Sequence, residues 1–157
     1  TVAYGGTSSC GVCADNKYSD AGASSCTACA TDKGYANTGT TAASHAGVAS
    51  CTTTCKGAQY VATAGAGCVT VGTGYYGEGG TVAQNAILAR VQCPENYRTG
   101  AAAAGISGCL AKCGAGTMVA SANAACSTPN NTTYGASWYT AEHNVNYGST
   151  SKSLSKV

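Results

Sequence analysis

The chain has 157 residues and a formal net charge of +2, and charged side chains make up only 9% of it, against about 25% in an ordinary soluble domain. It contains no Phe, one Met (Met118) and one Trp (Trp138) beside 22 Gly, and its many Ala residues bury too little area to offset the ordering entropy of a Gly-rich backbone. The composition therefore excludes a conventional hydrophobic core, and basic residues scattered singly exclude a nucleic-acid footprint. No stretch approaches the roughly 18 apolar residues of a membrane-crossing helix.

Eleven cysteines supply what the core lacks. A disulfide contributes about 2–4 kcal/mol, largely by restricting the unfolded chain, and such bridges belong to oxidising compartments. The expected fold is a small disulfide-rich repeat protein of short β-strands and irregular loops, with little helix and an elongated shape. The chain starts at Thr1 without a Met, a charged leader or an apolar run, and reads as a secreted, mature extracellular protein or one displayed at a cell surface.

Taken in order, Cys10-x2-Cys13 is followed after twelve residues by Cys26, with Cys29 close behind; this is module 1, residues 1–50. Cys51-x3-Cys55 and, after the same interval, Cys68 open module 2, residues 51–108, which holds an insertion and Cys93. Cys109-x3-Cys113 and Cys126 make module 3, residues 109–130, and residues 131–157 form a Ser/Thr/Asn-rich tail. A close cysteine pair, twelve residues and a third cysteine thus occur three times. The alternating stretches Gln59–Thr63 and Cys68–Val71 predict short strands. Ala101–Ala104 favours helix, but Gly100 and Gly105 bracket it too closely for a stable one.

Candidate sites follow from residue chemistry. The thiols of Cys10, Cys13, Cys26 and Cys29 have zinc-ligand spacing, but the odd count and the extracellular composition favour disulfides, so no metal or other cofactor is expected. His45 and His143 lie in no catalytic motif, Ser-rich segments hold no nucleophile elbow, and the chain is not read as an enzyme. Asn130 and Asn131 begin overlapping N-x-Thr sequons, and Thr52, Thr53 and Thr54 are candidates for O-linked sugar; covalent glycans would keep a charge-poor surface hydrated. The tyrosines, with Tyr75-Tyr76 and Trp138-Tyr139 adjacent, serve either as packing mass or as a sugar-binding platform. An odd cysteine in a secreted chain implies an intermolecular bridge or a free thiol, and spacing alone does not choose the connectivity.

The segment Cys13–Cys29 resembles the short cysteine repeat of ephrin-receptor-like and tumour-necrosis-factor-receptor-like modules. The Ala- and Thr-rich filling around Cys51-Thr-Thr-Thr-Cys55 and Cys109-Leu-Ala-Lys-Cys113 is similar to the immobilization antigens of ciliates, surface-coat proteins of tandem cysteine modules that usually carry a lipid anchor. Proline after the second cysteine pair, common in such modules, occurs only at Cys93-Pro94, and there is no apolar anchor tail. The resemblance implies pairing of first with third and second with fourth cysteines: Cys10–Cys26, Cys13–Cys29, Cys51–Cys68, Cys55–Cys93 and Cys109–Cys126, with Cys113 left unpaired or intermolecular. It implies a coat role, and it supplies no catalytic residue. The expected function is a structural glycoprotein of a surface coat or extracellular fibre, whose tail around Trp138–Tyr147 docks head to tail on the next copy. A receptor-like or lectin-like binding module is the alternative.

Overall fold

The computed structural model describes residues 2–3, 10–98, 100–129, 138–139, 141–151 and 155–156. These contain four single turns of 3-10 helix and fifteen short strands. The strands are β1 (Val2–Ala3), β2 (Cys10–Gly11), β3 (Lys17–Tyr18), β4 (Thr27–Ala28), β5 (Thr52–Cys55), β6 (Gln59–Tyr60), β7 (Val69–Thr70), β8 (Tyr75–Gly77), β9 (Gly80–Ala83), β10 (Val91–Gln92), β11 (Ala103–Ala104), β12 (Leu110–Cys113), β13 (Trp138–Tyr139), β14 (His143–Asn146) and β15 (Ser155–Lys156). The protein is small, disulfide-rich and built of strands and loops with little helix. Ala103–Ala104 is extended, in keeping with the glycines that bracket the Ala run.

The chain divides into two compact units, Thr1–Val69 with Gly79–Ala89, and Thr70–Glu78 with Arg90–Val157. In the first unit, β3 and β4 form a hairpin with Lys17 opposite Ala28 and Tyr18 opposite Thr27. A 3-10 turn over Val48–Ser50 leads into β5, which pairs antiparallel with β9 from Thr52–Ala83 to Cys55–Gly80. The strand β6 then pairs with β7. Two small clusters do the packing. Cys29, Tyr35 and Cys51 gather Tyr18 and Ala30, and Cys55, Val61 and Val82 gather Ala66, Cys68 and Leu88. Tyr35 is fully buried and its hydroxyl donates to Ala66 O at 2.8 Å, so the one large ring of the cluster enters without an unpaired polar atom.

The second unit contains corresponding bonds, about 58 positions on for some segments and about 62–64 for others. β8 pairs antiparallel with β10, placing Gln92 opposite Tyr75 and Val91 opposite Tyr76, and lies parallel to β11. A 3-10 turn over Ile106–Gly108 leads into β12, which pairs with β14 from Leu110–Asn146 to Cys113–His143. Met118 and Ser127 exchange backbone hydrogen bonds of 2.9 Å, where the first unit pairs β6 with β7. The clusters are Cys93, Tyr97, Cys109 and Ala111 with Tyr76 and Tyr147, and Cys113, Val119 and Val145 with Ala124 and Cys126. Tyr97 repeats Tyr35: it is fully buried and donates to Ala124 O at 2.8 Å. Its ring meets that of Tyr147 edge to face at 5.2 Å.

Equivalence extends to single backbone bonds. Gly47 N donates to Ser19 O at 2.9 Å and Gly105 N to Gly77 O at 3.0 Å; Cys29 N donates to Asn16 O and Cys93 N to Gly74 O, both at 2.8 Å; Gln84 N donates to Cys51 O and Tyr147 N to Cys109 O, again at 2.8 Å. Gly47 (φ 69°, ψ 167°) and Gly105 (φ 80°, ψ 164°) both occupy a region essentially closed to residues with a Cβ. That is why a glycine precedes each 3-10 turn.

The two units interleave along the sequence, because the ladder partner of β5 arrives after the chain has already formed β8 of the second unit. Within the tail from residue 131, β14 pairs with β12 in a two-stranded sheet of its own unit.

Candidate functional site

The cysteines form five bridges: Cys13–Cys26, Cys29–Cys51, Cys55–Cys68, Cys93–Cys109 and Cys113–Cys126. None is the pairing implied by the family resemblance. Cys113 is bridged and fully buried, and of the eleven cysteines it is Cys10 that falls outside the five bridges. The reason is geometric. Cys51 and Cys55 sit at opposite ends of a strand segment, about 13 Å apart at ~3.3 Å per residue, so one returning hairpin cannot serve both. The hairpin that follows β5 brings Cys68 back to Cys55, while Cys51 meets the incoming chain at Cys29. Three bridges, Cys13–Cys26, Cys55–Cys68 and Cys113–Cys126, share a sequence separation of 13 and staple hairpins. Cys13, Cys26 and Cys29 are therefore spent on disulfides rather than on a thiolate metal site, and among the described residues no three His, Cys, Asp or Glu side chains cluster to hold a metal ion.

One hairpin lacks its staple. By the register of β8 with β10 against β3 with β4, Val71 takes the place of Cys13 and Arg90 that of Cys26. Val71 is fully buried, and the Arg90 guanidinium carbon lies 4.1 Å above the Tyr75 ring centroid. An apolar side chain and a cation–π contact thus hold what a bridge holds elsewhere.

The most developed polar site belongs to the first unit, whose Cys29–Cys51 loop (separation 22) is longer than the Cys93–Cys109 loop (separation 16). The extra residues carry the turn Ala42–His45, capped by Thr41 Oγ1 accepting from Ser44 N. His45, 1% exposed, pins this loop. Its Nδ1 lies 2.8 Å from Lys17 O and its Nε2 2.8 Å from Gly39 O. Both partners are acceptors, so only the imidazolium, with a proton on each nitrogen, satisfies the pair. The hydrogen bonds to Gly39 and Lys17, aided by the nearby Asp15 charge, raise its pKa above the usual 6.5 against the opposing effect of burial. Gly39 is needed at φ 132°, where a Cβ would fall 2.5 Å from Ser44 Oγ, and its N–H donates to Asp15 Oδ1 at 3.3 Å.

Beside it, Asn37 is 7% exposed. Its Nδ2 donates to Lys17 O and Ser50 Oγ, each at 3.0 Å, while its buried Oδ1 finds no donor among the described protein groups. Asn37 lines an open hollow of about 490 Å³ with Thr38, Ser44, Ser50 and Thr52. The hollow is lined by hydroxyl-bearing side chains, and Asn37 Oδ1 itself is closed to solvent. The site holds neither a nucleophile–base pair nor a free imidazole. His143, in the other unit, lies 2.7 Å from both Ala141 O and Ser151 Oγ.

Of the proposed glycan sites, Thr54 is exposed, with its Oγ1 3.0 Å from Thr81 Oγ1, while Thr52 and Thr53 are half-buried in β5. Asn130 and Asn131 lie outside the described residues. The tyrosines split by role: Tyr35 and Tyr97 are core anchors, Tyr76 and Tyr147 pack against the second unit's cluster, and Tyr75 meets Arg90. Burial raises the pKa of Tyr35 and Tyr97. Of the two roles the sequence offers the tyrosines, Tyr35 and Tyr97 take that of packing mass against the cysteines; Asn37 and Gly39 are marked by no sequence motif.

No family model matches the chain, and neither the curated proteins nor the solved structures contain a match. Five disulfides point to an extracellular or secreted protein, and among the described residues no helix is long and apolar enough to cross a membrane.

Proposed function

We propose that the protein is a structural glycoprotein of an extracellular coat or fibre, and that its copies associate head to tail. The observation that carries this reading is one disulfide-stapled unit built twice, with its staples, its anchoring tyrosine and its glycine-led turn in equivalent places. A scaffold that spends its cysteines and its largest side chains on copying one unit is organised for repetition and durability. The ciliate coat antigens, similar in cysteine spacing and filling, serve in that capacity. Sugar on Asn130 or Asn131, and on Thr54, would hydrate a surface poor in charge. The test is intact-mass and light-scattering analysis of natural material under oxidising conditions. Added glycan mass and concentration-dependent linear polymers are expected. A bare-chain mass together with a monodisperse monomer at high concentration would refute both halves of the proposal.

A second reading, a sugar-binding module, draws on the hollow lined by Thr38, Ser44, Ser50 and Thr52. Its site is the loop pinned by His45 rather than the aromatic pairs. Titration with monosaccharides, followed by the chemical shifts of Ala36, Asn37, Thr38 and Ser50, tests it; no shift at millimolar sugar removes it.

A further inference from the structure

The same register that equates the two units also reads outward from them. At the constant offset that carries Cys55 to Cys113 and Cys68 to Cys126, Cys10 stands where Cys68 stands. The structure around it agrees. β1 and β2 pair antiparallel with Val2 opposite Gly11 and Ala3 opposite Cys10, just as β6 pairs with β7 and Met118 with Ser127. β1 and β2 therefore make the pairing that, in both complete units, is closed by a bridge. At the other end, β13 and β15 pair with Trp138 opposite Lys156 and Tyr139 opposite Ser155. That is the antiparallel pairing of β8 with β10, where Tyr75 faces Gln92 and Tyr76 faces Val91, with one more residue between the strands. This second hairpin is the opening of a unit, as the first is the closing of one.

We infer that the 157 residues are a window onto a tandem array of this unit, and that Cys10 is the closing half of a hairpin staple whose partner is a cysteine thirteen positions before it. In the two complete copies the equivalent sulfurs, Cys68 and Cys126, bond to cysteines at separation 13. The position required for the partner of Cys10 falls just ahead of Thr1. The chemistry is ordinary disulfide formation: two thiols lose two electrons and two protons to the oxidant of an oxidising compartment, such as a glutathione disulfide or an oxidase, and one S–S bond forms. The odd cysteine count is then a matter of where the window is cut. It does not mark an intermolecular bridge.

The experiment grafts Cys-Lys-Gly-Ala, the residues at positions 55–58, directly in front of Thr1 of the full chain. Oxidative refolding in a glutathione buffer is followed by alkylation without reduction and by peptide mapping. The original chain is expected to take up one alkyl group, at Cys10. The extended chain should take up none, yield a peptide joining the new cysteine to Cys10, and melt higher. A Ser-Lys-Gly-Ala extension should again take up one group, which separates the bridge from any effect of added residues. The five native bridges in the same peptide map report folding in every sample. Two alkyl groups on the extended chain with those five bridges intact would overturn the inference, and so would a Cys10–Cys10 dimer that persists in it.

Discussion

Replacing Val71 and Arg90 together by cysteine should install the staple that the β8–β10 pair lacks. Both positions lie in the second unit, and the register of β8 with β10 sets them where Cys13 and Cys26 stand in the first. Cross-linking them closes a loop of about 19 residues, which restricts the unfolded chain by about 3 kcal/mol in the loop-entropy account. Against this stand the lost cation–π contact of Arg90 on Tyr75, about 0.5–1 kcal/mol, and a small packing loss at buried Val71, about 0.5 kcal/mol. The net gain is ~2 kcal/mol, which for a chain of this size raises the melting temperature by about 5 °C. Calorimetry of the oxidised double variant against the oxidised original chain measures the gain, and alkylation confirms the bond. If both new cysteines are alkylated in the oxidised, folded protein, the equivalence of the hairpins is wrong. If the bond forms and the melting temperature falls, the hairpin is strained in a way its register does not reveal.

Strong reductant should unfold the native protein outright, since five bridges at ~3 kcal/mol each exceed the net stability of a typical domain; an unchanged melting curve after full reduction, verified by thiol count, would contradict a fold that depends on its bridges. Tyr35→Phe and Tyr97→Phe should each cost about 1–2 kcal/mol by leaving Ala66 O or Ala124 O without its donor, and similar losses in denaturant titrations are the signature of one unit built twice. The raised pKa of His45 means that the folded state binds its proton more tightly than the unfolded state does. Its stabilising contribution is therefore complete below about pH 6.5 and is lost as pH rises through the folded-state pKa. His45→Gln should flatten that slope in thermal melts taken from pH 5 to 9, and a wild-type stability that rises over this range would contradict the two-carbonyl arrangement. Asn37→Ala should remove the buried unpaired acceptor at little cost to the melting temperature, whereas a loss above about 3 kcal/mol would show that its Nδ2 bonds to Lys17 O and Ser50 Oγ dominate.

The composition by itself determined the class of this protein. With no Phe, few charges and eleven cysteines, the chain has only sulfur bridges and scattered tyrosines to hold a fold, and that conclusion needs no coordinates. The recurrence of a close pair, twelve residues and a third cysteine was likewise legible, because spacing is a one-dimensional property. The pairing was not. Which cysteine answers Cys55 depends on the hairpin β6–β7 turning back to its end of β5, and which answers Cys51 depends on Tyr35 burying itself against Cys29; both are settled in space between residues of different segments. The same holds for Val71 and Arg90, whose kinship to Cys13 and Cys26 is invisible in letters and appears only through strand register. It holds too for His45, whose role comes from two carbonyl oxygens, at Lys17 and Gly39, that no sequence pattern marks. Side-chain chemistry named the materials, and the backbone ladders decided which of them meet.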